Sequence, residues 1–214
     1  MLMESSANNS GSAGATIGQN IKAKHLLTRT LLPVYVLCCA STAQSQTLTV
    51  AGGQTFGSST TEHDAYRVEM NFHWKPELWS NDSLALSLNH AVSVMTFRDK
   101  NTVNAISWAP NLILTPSRKA GMYPYAQLGF GAAYLSDDKF ESNAPPRYRF
   151  NGVRIYDDGS SDMGSHGQFE SSFALGLAKD RFSVRAKIYH YSNAGISKEN
   201  GGMDVAEVGV SYSL

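Results

Sequence analysis

The chain has almost no cysteine. Its two, Cys38 and Cys39, are adjacent, and sequence neighbours seldom pair, so neither a disulfide framework nor a thiolate metal site is expected. A basic excess is missing too. The 18 Lys and Arg balance 18 Asp and Glu for a formal charge of zero, which lacks the positive footprint of a nucleic-acid-binding protein. Charged residues are only 17% of the 214, below the roughly one quarter of ordinary soluble domains. No run is apolar for the ~20 residues that a membrane-crossing helix needs.

The longest apolar run, residues 30–40, follows Lys22, Lys24, His25 and Arg29 and precedes the small residues Ser41 and Ala43. A positive region, a short apolar region and small residues at the −3 and −1 positions read as a secretory signal. We therefore expect residues 1–43 to be a targeting segment cut near 43–46, and 47–214 to form the mature domain. The polar residues 4–19 are a long prelude to such a signal, which points to a later start or an extended leading region. Cleavage removes both cysteines. A lipoprotein reading of Leu37-Cys38-Cys39 is disfavoured, because the residue before a lipidated cysteine should be small.

The rest of the chain is rich in two-residue alternation. Val68, Met70, Phe72 and Trp74 share one face of a strand, with Arg67, Glu69, Asn71 and His73 on the other. Leu84, Leu86, Leu88, Val92 and Val94 oppose Ser83, Ser87, Asn89 and Ser93. Phe169, Phe173, Leu175 and Leu177 oppose Gln168, Glu170 and Ser172; Phe182, Val184, Ala186 and Ile188 oppose Ser183, Arg185 and Lys187. Val208, Val210, Tyr212 and Leu214 oppose Glu207, Gly209, Ser211 and Ser213. With less regular segments near 47–56, 103–114 and 122–135, this gives eight strands. An even set of alternating strands is the signature of an antiparallel transmembrane β-barrel. A soluble barrel with its apolar face inward is the alternative, and Arg, Lys, Glu and Gln at one consistent parity argue against it by filling a narrow polar lumen.

Short turns are expected at Lys75-Pro76-Glu77, 115–118 and Lys179-Asp180-Arg181, on the periplasmic side with both termini. The long connection 136–164, with Pro145, Pro146, Asp157, Asp158 and Gly159, then lies outside. Trp74, Trp79, Tyr123 and Tyr125 are placed in interfacial aromatic girdles.

The seventh segment breaks its pattern at the end. Its outward parity, continued by two, passes to His190 and then Ser192. Counting back from Val208 on the eighth segment gives Ala206 and then Asp204 on the same face. Residues i and i+2 are ~6.6 Å apart and adjacent strands ~4.8 Å, so a serine, a histidine and an acid can meet at one rim. Nucleophile, base and orienting carboxylate make a hydrolytic triad by role, whatever their chain order. Because the seventh strand runs outward, this rim belongs to the outer leaflet, and polar groups facing lipid ask for a functional reason.

His190-Tyr191-Ser192-Asn193-Ala194-Gly195, a short loop with Asn200-Gly201-Gly202, and then an acid closely resemble the lipid A 3-O-deacylase (PagL) family. The resemblance covers the C-terminal third well and the rest in strand number and length. It implies an outer-membrane esterase that removes the 3-hydroxyacyl chain at position 3 of lipid A, with lipopolysaccharide as substrate and no cofactor. It further implies Ser192 as nucleophile, His190 as general base, and Asn193 and the Gly195 N–H as oxyanion donors. The family acid is a Glu whose position falls on Asp204, one methylene shorter. Glu207 has lumenal parity, and Glu199 in the loop is a weaker substitute.

Other clusters carry less. His63 with Asp64 and His73 with Glu69 lack a metal-ligand spacing, so no metal is expected. Asp157-Asp158 reads as a solvated acidic loop, and Arg147 and Arg149 as surface charge with lipid A phosphates as the functional alternative. The partners expected are lipopolysaccharide and membrane lipid, with a homodimer compatible and nucleic acid not. A structural or adhesin barrel and a phospholipid esterase of the same fold are the competing readings.

Overall fold

In a computed structural model, the described residues are 46–56, 63–143, 147–148, 156–157 and 160–214. The expected targeting segment, Pro145, Pro146, Arg149, Asp158, Gly159 and the side chains of Arg147 and Asp157 lie outside them. Eight long strands carry the fold: β1 Gln46–Phe56, β2 Asp64–Ser80, β3 Leu84–Arg98, β4 Thr102–Pro116, β5 Tyr123–Leu135, β6 Gly167–Lys179, β7 Phe182–Ser192 and β8 Met203–Ser213. Each pairs antiparallel with its sequence neighbour, and β1 closes on β8 from Thr47↔Ser213 to Phe56↔Asp204, so the sheet is a barrel without edges. Two short ribbons, Lys139–Phe140 with Ser161–Asp162 and Arg147–Tyr148 with Tyr156–Asp157, lie in the long β5–β6 connection.

Strand parity decides which way the barrel is dressed. Val50, Val68, Ile106, Trp108, Leu128, Leu175, Val184 and Val210 stand on the outer wall and are exposed. Arg67, Glu69, Glu170, Arg185, Lys187 and Glu207 point inward and are buried. An apolar wall around a charged lumen is the dress of a membrane-spanning barrel and the reverse of a soluble one.

The six lumenal charges balance three against three. Glu69 meets Arg185 at 2.6 Å, Lys187 at 3.2 Å and Arg67 at 3.4 Å; Glu170 meets Arg67 at 3.1 Å and Lys187 at 3.4 Å; Glu207 meets Arg67 at 3.3 Å and Arg185 at 3.4 Å. Above this layer, toward the long connection, Met95, Phe97, Leu135, Phe140, Met163 and Met203 form an apolar plug. Below it a polar cavity of about 270 Å³ opens toward the termini. Charge layer and plug together fill the lumen above this cavity with buried side chains. Removing one member of a buried pair strands its partners, so Glu69→Ala is expected to destabilise the barrel by about 3–5 kcal/mol. The urea midpoint of the folded-band mobility on unheated gels reads this, and an unshifted midpoint contradicts it.

Two expectations need correcting. The β2–β3 turn is not at Lys75-Pro76-Glu77: β2 continues to Ser80 through register shifts between His73, Lys75 and Trp79, and the chain reverses at Asn81–Ser83. Asn81 Oδ1 accepts the N–H groups of Ser83 and Leu84 at 2.8 Å each, an Asx turn that ends the strand. Tyr123 and Tyr125 point into the lower cavity and belong to no outer girdle. Tyr125 fits there because the residue facing it is Gly176, where any Cβ would run into its ring.

Outside the membrane, Asp99 in the β3–β4 turn fastens the long connection. Its carboxylate accepts from Ser142 Oγ at 2.9 Å and from the Asn143 backbone and side-chain N–H groups at 3.0 Å. Slight burial pushes its pKa up, and these three donors outweigh that and hold it below the ordinary value.

Candidate active site

The last turn of β7 and the first of β8 build the site. His190 pairs directly with Asp204 across the two strands, and Ser171 of β6 and Phe56 of β1 flank them, giving an outward rung Ser171–His190–Asp204–Phe56. His190 Nδ1 lies 2.8 Å from Asp204 Oδ1, both side chains a little under half exposed. An ionised carboxylate only accepts, so Nδ1 carries the proton and Nε2 is left free to act as a base. The direct pairing explains why an aspartate is long enough here, since facing Cβ atoms are only ~4.5–5.5 Å apart. Glu207 lies in the lumen as its parity requires.

Ser192, two residues beyond His190, is on the same face, and its hydroxyl makes no hydrogen bond among the described residues. Tyr191↔Met203 is the last pair of the β7–β8 ladder, and Ser192 and Gly202 are the residues that follow it on the two chains. A Cβ on Gly202 would sit 3.3 Å from His190 Cε1 and 3.8 Å from Nε2, so this edge of the ring leans toward Gly202. Catalytic hydrogen bonds are often long in unliganded enzymes and tighten on substrate binding.

Gly202 also has φ +60°, a conformation that L side chains resist. Gly202→Ala should both strain the turn and press on the imidazole, and a misplacement of this kind lowers kcat by roughly tenfold to a hundredfold. Steady-state acyl release from the folded variant measures it; an unchanged kcat means that the ring does not work from this position.

Asn193 turns inward and is buried. Its Nδ2 donates to Glu199 O at 2.7 Å and Met163 O at 2.8 Å, its Oδ1 accepts the Gly195 N–H at 2.8 Å, and its own N–H reaches Asn200 Oδ1 at 3.1 Å. Gly201 N donates to Asp162 O at 2.9 Å, tying the same loop to the long connection. The two expected oxyanion donors are thus engaged, Asn193 with the β7–β8 loop and the long connection and Gly195 with Asn193 itself. They shape the turn that carries Ser192, and an oxyanion reaches them only by exchange with these bonds.

Below the rung, a groove of about 340 Å³ runs down the outer wall between Phe56, Leu128, Phe173 and Ile188, with Ser171, His190 and Asp204 at its head. A second groove of about 390 Å³ shares Phe173 and Ile188 and continues over Gly52, Ala186 and Ala206. Small residues form its floor and larger apolar ones its walls. Ser171 is a hydroxyl that sequence reasoning passed over, because it interrupts the apolar parity Phe169, Phe173, Leu175 as a single small residue. Its outward parity on β6 was legible, and its place opposite His190 is a matter of register that the structure supplies.

An eight-stranded barrel with an apolar outer wall around a charged lumen defines a class, an integral membrane β-barrel. The family model of lipid A 3-O-deacylase (PagL) matches residues 64–213. The chain belongs to this family, and it is an ester hydrolase of the outer membrane. It is 26% identical over 194 residues to lipid A deacylase PagL of Pseudomonas aeruginosa, covering 86% of this chain and 95% of that protein. The crystal structure of the outer membrane enzyme PagL superposes with a TM-score of 0.63 at 20% identity, over 78% of this chain and 99% of that one, which shows the barrel fold. A non-catalytic structural or adhesin barrel is thereby set aside.

Proposed function

We propose that the chain hydrolyses the ester-linked 3-hydroxyacyl chain at position 3 of lipid A, with Ser192 as nucleophile, His190 as general base and Asp204 as the carboxylate that orients it. The observation that carries this is the outward His190–Asp204 pair at 2.8 Å, on the same strand face as Ser192 and at the head of an apolar groove. In the first step Nε2 of His190 takes the Ser192 proton as Oγ attacks the ester carbonyl. The C–O bond to the sugar then breaks, and the imidazolium returns the proton to the leaving sugar oxygen. Water, deprotonated by the same imidazole, releases the 3-hydroxy fatty acid and restores Ser192. The Asp204 carboxylate balances the imidazolium. Asn193 and the Gly195 N–H meet the oxyanion after exchanging their present partners.

Position on the wall suits the substrate. A lipid reaches the rung by lateral diffusion, its acyl chain lies in the groove, and its sugar stays at headgroup level. The test is purified, refolded protein offered lipid A and a diacyl phospholipid in mixed micelles, read by mass spectrometry. Loss of one 3-hydroxyacyl unit from lipid A supports the proposal. Lysophospholipid with intact lipid A makes the chain a phospholipid esterase on the same fold.

A further inference from the structure

Tyr191 stands between the two proposed catalytic side chains and faces the other way. Strand alternation sends it into the lumen, where it is fully buried. Its phenol reaches Glu170 Oε2 at 2.7 Å and lies 2.9 Å from Met95 Sδ, and it receives Arg67 Nη2 at 3.3 Å. The ring packs edge-on against Phe97 at 6.2 Å and Tyr189 at 5.4 Å. Arg67 in turn stacks over Tyr189 at 4.1 Å. Residues 189 and 191 therefore fix this end of β7 to β2, β3 and β6 across the lumen, at the seam between charge layer and apolar plug.

This arrangement has a consequence on the other side of the wall. A strand residue cannot shift without moving its neighbours, and 190 and 192 are the neighbours of 191. Side chains that act in chemistry must be held within ~0.5 Å by locked, packed supports. The outer wall offers His190 and Ser192 little such support, because they face lipid and a groove. The β7–β8 pairing supplies one constraint, and the lumenal phenol supplies another from behind.

We propose that Tyr191 is a positioning residue for the reaction, its bond to Glu170 clamping the catalytic stretch of β7 from inside the barrel. The inference rests on the reading of Ser192 and His190 given above. Tyr191→Phe keeps the ring and removes only the hydroxyl. It should fold, lower kcat by about tenfold and leave KM within about twofold, the pattern of geometry lost at the reacting atoms rather than in substrate binding. Glu207→Gln is the comparison. It weakens the same charge layer, through Arg67 and Arg185, without touching the phenol, so it should lower the urea midpoint and leave kcat unchanged.

Labelling with a long-chain alkyl fluorophosphonate, with the modified peptide identified by mass spectrometry, separates the clamp from the assignment beneath it. Labelling at Ser192 that slows in Tyr191→Phe together with kcat supports the clamp. Labelling at Ser192 with rate and kcat both as in the wild type overturns the clamp alone, as does a kcat that falls equally in Glu207→Gln. Wild-type protein that is active but not labelled at Ser192 overturns the nucleophile, and the clamp with it.

Discussion

Ser192→Ala is expected to fold like the wild type and to lose acyl release by about 10⁴-fold or more, the scale on which removal of an activated nucleophile disables a serine hydrolase. The residue is on the outer wall with no hydrogen bond among the described residues, so nothing in the packing depends on its hydroxyl. A loss of activity is therefore a loss of chemistry, provided that unheated-gel mobility shows the barrel intact. The comparison variant is Ser171→Ala. Ser171 faces His190 across the β6–β7 pair and lies at the head of the groove, so it is the other hydroxyl that could serve the imidazole. We expect it to change kcat by no more than about threefold, as an exposed hydroxyl outside the transition-state contacts should. Acyl release that survives Ser192→Ala and vanishes in Ser171→Ala moves the nucleophile to β6.

Parity alone brings the candidate residues to one face. Phe182, Val184, Ala186 and Ile188 fix the outward phase of β7, and that phase carries to His190 and Ser192 without further information. Val208 fixes β8 in the same way and delivers Asp204. What alternation leaves open is register, the sliding of one strand on another. The pairing His190↔Asp204 is a register fact, and it is what lets a short acid reach the imidazole.

The misreadings have local causes. Pro76 lacks an N–H and looks like a turn, yet irregular pairing lets a strand run through it and continue to Ser80. Tyr123 and Tyr125 have an amphipathic shape that suits a girdle, and only the glycine facing residue 125, from a strand some fifty residues on, opens the lumen to that ring. Asn193 and Gly195 were legible as a motif but not as a hydrogen-bonded turn, because the Asn193 partners Met163 and Glu199 come from the long connection and the loop itself. Tyr191 sits inside the same motif, and its lumenal contacts are invisible until the fold brings Glu170 and Arg67 to it.

The second large effect is expected at the acid. Asp204→Asn preserves volume and can still accept from His190 Nδ1, but it removes the charge that stabilises the imidazolium. Its amide can also turn to donate to Nδ1, holding the tautomer with its proton on Nε2, the nitrogen that must take the serine proton. In a Ser-His-acid triad this substitution lowers kcat by about 10⁴-fold with geometry preserved, and a loss of about 10³–10⁴-fold is expected here. The rung is only half covered, so solvent and headgroups stabilise part of the lost charge and favour the lower end. Asp204→Glu restores the acid that the resemblance implies and adds one methylene to a pair already at 2.8 Å. That carboxylate must fold back to keep the contact, and we expect kcat within about tenfold of the wild type, the cost of one strained rotamer. Steady-state rates for both variants, with folding verified by gel mobility, decide the matter. A wild-type kcat in Asp204→Asn leaves the contact purely structural, and the orienting acid then has to be sought in the loop, where Glu199 is the next carboxylate in sequence from Ser192.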